Sequence, residues 1–201
     1  MSHQSHSINQ TVHDLRAAQA LVQVDRAKGF SALNELFRAG TVPEPLLHGR
    51  YAGELIALEI APGLTQFLHR LFHLWMPWRG KTFDASPARG DNIFTKDSYA
   101  LARLFNPLYR GFVSDGPKTY RSFAFRTYKA PGLFDDDRTV LKIDYNLKEN
   151  PAPTVRRVLD ELVRLDDELY LGKAHIHWWW GVWQTVAYFS LIPEQIDTLS
   201  R

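Results

Sequence analysis

RTVLKIDYN, residues 138–146, decides the fold class. In an extended chain Leu141, Ile143 and Tyr145 share one face, and Lys142, Asp144 and Asn146 share the other. That alternation belongs to a strand of an antiparallel sheet with one face buried. Stretches 120–128, 159–165, 169–178 and 182–191 read as strands of the same kind. Between them stand Ala130-Pro131-Gly132, Asp135-Asp136-Asp137, Asn150-Pro151 and Gly181, all of them turn chemistry. The spacing predicts an up-and-down antiparallel meander. Curling such a meander into a barrel around an apolar lumen removes its exposed edges.

Working outward toward the N-terminus, residues 49–60 read as a further strand. Pro62-Gly63 then turns the chain into a helix over 64–75, where Leu64, Phe67, Leu68, Leu71, Phe72 and Trp75 form one stripe. An amphipathic lid over a barrel mouth is expected there. After Trp78-Arg79-Gly80-Lys81-Thr82-Phe83 the chain reads as loop-rich to about residue 118, with a helix over 98–105. At the start of the chain, Asn9 or Thr11 can cap a helix that runs to Val24, with Val12, Leu15, Ala18, Leu21 and Val22 on one face. Lys28-Gly29 is expected to interrupt it. Ser31 then caps a short helix carrying Leu33, Leu36 and Phe37, which Gly40 stops. The expected organisation is an N-terminal helical cap and linker over 1–45 and a mainly β barrel domain over 46–201.

Composition narrows the function. The 201 residues carry a net charge of +2 with both signs scattered, which leaves no electrostatic footprint for nucleic acid. The absence of cysteine removes disulfides, thiolate metal sites, iron–sulfur clusters and cysteine nucleophiles, and fits a reducing compartment, the cytoplasm by default. The polar N-terminus lacks the pattern of a signal peptide. His69, Arg70 and His73 break the longest apolar run well short of the ~20 residues an integral membrane helix needs. Aromatic residues, at 13%, are in excess and favour a thick β core or an apolar pocket.

Three stretches point further: Gly49-Arg50-Tyr51-Ala52-Gly53, then Trp78-Arg79-Gly80-Lys81-Thr82-Phe83, then the run from Asp160 that ends Leu165-Asp166-Asp167-Glu168-Leu169-Tyr170-Leu171-Gly172. Together they resemble the GXWXG family and the domain of unknown function that follows it, over roughly residues 46–190. Tyr51 stands where that family has Trp, and extra residues separate Asp144-Tyr145 from Asp160. The resemblance implies a lipocalin-like, or calycin-like, barrel and leaves the activity open.

Several constellations could carry chemistry. Gly49, Tyr51 and Gly53 share a strand face, where the ring would plug the barrel and the glycines would let another group pack closely. His175 and His177 lie on one face with Lys173, opposite the more core-like Gly172, Ala174, Ile176 and Trp178, so both imidazoles are expected outside in water. His69 and His73 flank Arg70 on the wet side of their helix. Neither pair shows the third ligand that a zinc site needs, so no metal and no cofactor is expected. The turn Trp178-Trp179-Trp180-Gly181-Val182-Trp183 must leave an indole outside unless the N-terminal helices or a second copy of the chain cover it, and a homodimer through this hairpin is one way to do so.

Arg126, Tyr128, Asp144, Tyr145, Asp160 and Glu161 lie on adjacent strands, where they form either an acid–base set in a lumen or outward ion pairs between strands. Nucleophile elbows, phosphate-binding glycine loops and dinucleotide fingerprints are missing. The favoured expectation is a carrier or sensor of a small apolar molecule. Its ligand would be lined by Tyr51, Phe83, Phe125, Tyr128, Tyr145 and Trp183, and by Phe67, Leu71 and Trp75 from the lid. The alternative is a cofactor-independent lyase, isomerase or cyclase in which Tyr145, Arg126 and Asp160 move a proton on an apolar substrate.

Overall fold

A computed structural model describes residues 2–59, 78–86, 88–152 and 154–194, with side chains from residue 10 onward. Nine strands follow two helices: α1 (Ser2–Val24), α2 (Arg26–Ala39), β1 (Gly49–Leu58), β2 (Trp78–Ala85), β3 (Ala88–Thr95), a short helix α3 (Tyr99–Phe105), β4 (Val113–Asp115), β5 (Thr119–Pro131), β6 (Thr139–Asp144), β7 (Val158–Asp166), β8 (Leu169–His177) and β9 (Trp183–Pro193). All pairings are antiparallel. β1 joins β9, β3 joins β5, and the remaining neighbours follow chain order, so eight strands close into a barrel while β4 only lengthens the wall beside β5.

The alternation expected of 138–146 holds: Leu141, Ile143 and Tyr145 face inward and join Leu47, Phe83, Phe125, Leu162 and Leu191 in the barrel interior. One end is filled solid. Tyr51 is only 6% exposed and meets Phe83 and Tyr170 edge-on at 5.3 and 5.6 Å, plugging that end of the barrel as its glycine-flanked strand suggested. The other end holds a cavity among the described residues.

β2 is a strand where none was expected, and β3 corrects the reading of the stretch after Phe83 as loop-rich, although the helix over 98–105 is there as α3. Their alternation is masked because Lys81 and Asn92 are polar yet buried, at 2% and 6% exposure, so the inner face does not read as apolar.

The N-terminal helices differ in two respects from expectation. Gly29 does not break them: the chain turns at Asp25, whose side chain caps α2 through Lys28 N at 3.1 Å. Gly29 lies inside α2, where a Cβ would come within 2.4 Å of Val22 N; its missing side chain is what lets α1 and α2 touch. Nor do the helices sit over an end of the barrel. They lie along its outer wall, where Leu15, Ala18, Val22, Leu33 and Phe37 pack on Ile56, Val140, Val163, Leu171 and Tyr188.

A buried polar network fastens this layer. Lys142 bonds Glu161 Oε1, which also accepts Leu133 N at 2.5 Å; His175 Nε2 lies 3.2 Å from Glu161 Oε2, and its Nδ1 is 3.0 Å from Thr185 Oγ1. Lys173 bridges Asp135 and Asn34 at 2.5 and 2.6 Å, and Arg38 of α2 holds Asp135 and Asp137. His175 therefore points outward, as expected, but is fully buried beneath Phe134 rather than solvated. Burial pushes the Glu161 carboxyl up, but hydrogen bonds and charge from His175 and Lys142 outweigh it and hold the group down at about 2.

Candidate functional site

The end of the barrel away from Tyr51 holds a cavity of about 430 Å³. Its walls are apolar and aromatic: Leu55, Phe94, Phe123, Val158, Ala174, Ala187 and Phe189 line it, and Leu101, Ala102 and Phe105 of α3 form part of its rim. Two local features shape the wall. Gly53 leaves room for the Trp78 indole, which a Cβ there would meet at 2.3 Å, so the group that packs on this glycine face belongs to the chain itself. Phe123 adopts a left-handed φ of 56° where the β3–β5 register slips, a bulge that turns a ring into the lumen.

A cluster of polar side chains interrupts the apolar lining. Lys81, beside Phe83 on the inner face of β2, donates to Asp160 Oδ2 and Asn92 Oδ1, both at 2.9 Å, and to the Tyr145 hydroxyl. Tyr145 donates to Asp160 Oδ2 at 3.1 Å. Asn92 gives its amide to Phe123 O at 3.2 Å and to Tyr145 at 3.0 Å, and its oxygen accepts Trp78 Nε1 at 3.1 Å. The Lys81 ammonium also lies 5.1 to 5.5 Å from the ring centres of Trp78, Phe125, Tyr145 and Phe189.

Burial shifts these groups. It lowers the Lys81 pKa, against the opposing pull of Asp160. It raises that of Tyr145 well above the phenolic value, reinforced by the charge of Asp160. Such a desolvated amine, phenol and carboxylate in contact can bind a polar group tightly or pass a proton.

The structure brings together only part of the expected site. Tyr145 and Asp160 meet in the lumen. Arg126 does not join them: its guanidinium lies outside, half exposed, paired with Asp144 at 2.7 Å. Glu161, one residue after Asp160, faces the opposite way into the helix-covered layer. Among the expected ligand-lining residues, Tyr145 lines the cavity, while Phe83 and Phe125 pack in the interior and Tyr51 closes the far end. Tyr128 and Trp183 lie on the outer surface around a separate groove with Asp144 and His177, and Trp183 stacks on His177 at 4.7 Å. Phe67, Leu71, Trp75, His69 and His73 lie outside the described residues, as does the lid they were expected to form.

Lys81, Asn92 and Trp78 were missed as site residues. Only part of the signal was present: Lys81 stands two residues before Phe83, so a strand through Trp78–Phe83 puts both on one face, but the sequence does not mark that face as the buried one. The Trp178–Trp183 hairpin is not under the helices: Trp179 and Trp180 are 64% and 68% exposed, with Trp178 stacked on Trp180 at 5.1 Å.

The molecule is thus an eight-stranded antiparallel barrel with an internal cavity that is apolar except for a buried polar floor. No protein-family model and no curated protein matches the chain. Among solved structures, it is similar to a crystal structure of a protein from Thermomonospora curvata, at a TM-score of 0.46 and 14% identity over 91% of this chain and 99% of that one, a likeness too distant to carry an argument. No helix among the described residues is long and apolar enough to cross a membrane.

Proposed function

We propose that the barrel binds a small, predominantly apolar molecule in its lumen, as a carrier or sensor. The observation that carries this reading is the Lys81–Asp160 pair, with side chains 3% and 5% exposed, set in the wall of an apolar cavity. Buried ion pairs are poor stabilisers, and well-packed apolar side chains commonly replace them at no loss of stability. A pair kept at the floor of a cavity within the size range of small-molecule sites is better explained by what it meets there. The lipocalin-like description of the barrel, and kinship with the GXWXG family through Gly49–Gly53 and Trp78–Phe83, belong to the same proposal.

The test is titration with N-phenyl-1-naphthylamine, a neutral apolar fluorophore, in the intact chain and in Ala174→Trp, which fills the lumen, or Leu101→Trp at its rim. Fluorescence enhancement that either variant cuts about tenfold or more supports the lumen as the site. Enhancement unaffected by both variants in folded protein removes it.

The contact of Tyr145 with Asp160 and Lys81 favours a second reading, proton transfer on an apolar substrate without a cofactor. Turnover lost in Tyr145→Phe with binding intact would establish it.

A further inference from the structure

The hydrogen-bond inventory of the cavity floor restricts the ligand more sharply than its apolar walls do. A lysine ammonium has three protons, and those of Lys81 go to Asp160, Asn92 and Tyr145. Both amide protons of Asn92 are engaged, on Phe123 O and Tyr145, as is the indole N–H of Trp78 on Asn92. Tyr145 has one proton, and the carboxylate is its stronger acceptor. Further along the lining, Ser98 donates to Thr95 O at 2.9 Å, so the 3.1 Å contact between Ser98 and Tyr120 takes the Tyr120 proton. Among the described residues of this floor no N–H or O–H is left for a ligand; Asn106, just after α3 at the rim, commits one of its two amide protons, to Ala102 O at 3.2 Å.

One strong acceptor is left. Asp160 uses Oδ2 for both Lys81 and Tyr145, while Oδ1 receives no hydrogen bond from any described residue, although the side chain is 95% buried and lines the cavity. Once an apolar ligand displaces water from the cavity, a carboxylate oxygen left there without a donor is costly, and a ligand that supplies one removes that cost. The Lys81 ammonium and the Asp160 carboxylate also carry no net charge together. A charged ligand head would therefore be buried without compensation.

Resting on the reading of the lumen as a ligand site, we propose that this floor selects an uncharged apolar alcohol, whose hydroxyl donates to Asp160 Oδ1. A carboxylate meets no free donor there and faces the Asp160 oxygen. An ammonium adds a second positive charge beside Lys81. An ether leaves Oδ1 unpaired. Selection by a missing donor is strong because the penalty falls on a buried, charged acceptor.

Competition against bound N-phenyl-1-naphthylamine tests this with three molecules of equal chain length: 1-decanol, 1-methoxydecane and decanoate, the last at a pH where it is ionised. The expected result is displacement by decanol at concentrations about tenfold or more below those needed for the ether or the acid. Asp160→Asn alone leaves Lys81 buried without its partner and is prone to misfold, so the informative variant is the double Lys81→Met, Asp160→Leu. In it the preference for alcohol over ether is expected to fall to within about twofold. Equal displacement by all three in the unmodified protein, or a preference that survives in the double variant, overturns the inference while leaving the lumen reading intact. The lumen reading itself fails separately, through fluorophore binding that Ala174→Trp and Leu101→Trp leave unchanged.

Discussion

If α1 and α2 share one core with the barrel, then Phe37→Ala must destabilise the whole molecule. Phe37 is fully buried in the layer that holds Leu15, Leu33, Val163 and Leu171, and the Lys173 ammonium sits 4.1 Å from its ring centre. Truncating a fully buried Phe costs about 3–5 kcal/mol. For a chain of this size each kcal/mol moves the melting temperature by about 2–4 °C, so the expected drop is ~6–20 °C. Differential scanning calorimetry, followed in parallel by circular dichroism, measures it, with Val24→Ala as the control. Val24 is 87% exposed, and its loss should stay within about 0.5 kcal/mol. The two signals should move together in one transition. A melting temperature lowered by less than about 2 °C, or helix signal lost in a separate early step while the barrel melts unchanged, would refute the shared core and return the helices to the status of a detachable appendage.

Gly53→Ala drives a methyl into the Trp78 indole; it should cost about 1–3 kcal/mol and weaken apolar fluorophore binding, checked by chemical denaturation and titration. Acid stability follows from Glu161: its folded pKa of about 2 lies below the reference 4.5, so its contribution is full above pH 4.5 and is lost as pH falls from there toward 2. The loss amounts to about 3 kcal/mol, read as a falling denaturation midpoint, and Glu161→Gln should flatten that acid limb. Trp179→Ala and Trp180→Ala should leave stability within about 0.5 kcal/mol, because both side chains are exposed. If the hairpin joins two copies of the chain, the same pair of substitutions shifts sedimentation toward monomer; unchanged sedimentation removes that arrangement.

The strands after residue 119 were legible because their two faces meet different surroundings. Inward Leu141 and Ile143 against outward Lys142 and Asp144 is a signal of period two that turn residues delimit. β2 and β3 were not legible for the reason that makes them interesting. Their lumen face carries Lys81 and Asn92, and a buried lysine is indistinguishable in sequence from a solvated one until the partners across the barrel are known. Those partners, Tyr145 and Asp160, lie 64 and 79 residues away. The helical layer misled for a related reason: Gly29 reads locally as a helix breaker, and only the neighbouring helix shows that it is a contact surface.

Asp160-Glu161 shows how narrowly the assignment of a site depends on register. The two acids are adjacent, both almost wholly buried, and each is paired with a lysine of another strand, Lys81 for one and Lys142 for the other. By composition and pairing they are equivalent. The alternation of β7 sends Asp160 into the lumen and Glu161 into the layer beneath the 132–137 loop, where it serves to hold that loop and His175 in place. A slip of one residue in the pairing of β7 with β8 would exchange their surroundings, putting the larger acid in the cavity and leaving the outer lysine without its partner. The register is therefore enforced from both faces of the wall, by Val158 and Leu162 on the inside and by Leu159 and Val163 on the outside. The same packing that fixes the fold decides which carboxylate a ligand can reach.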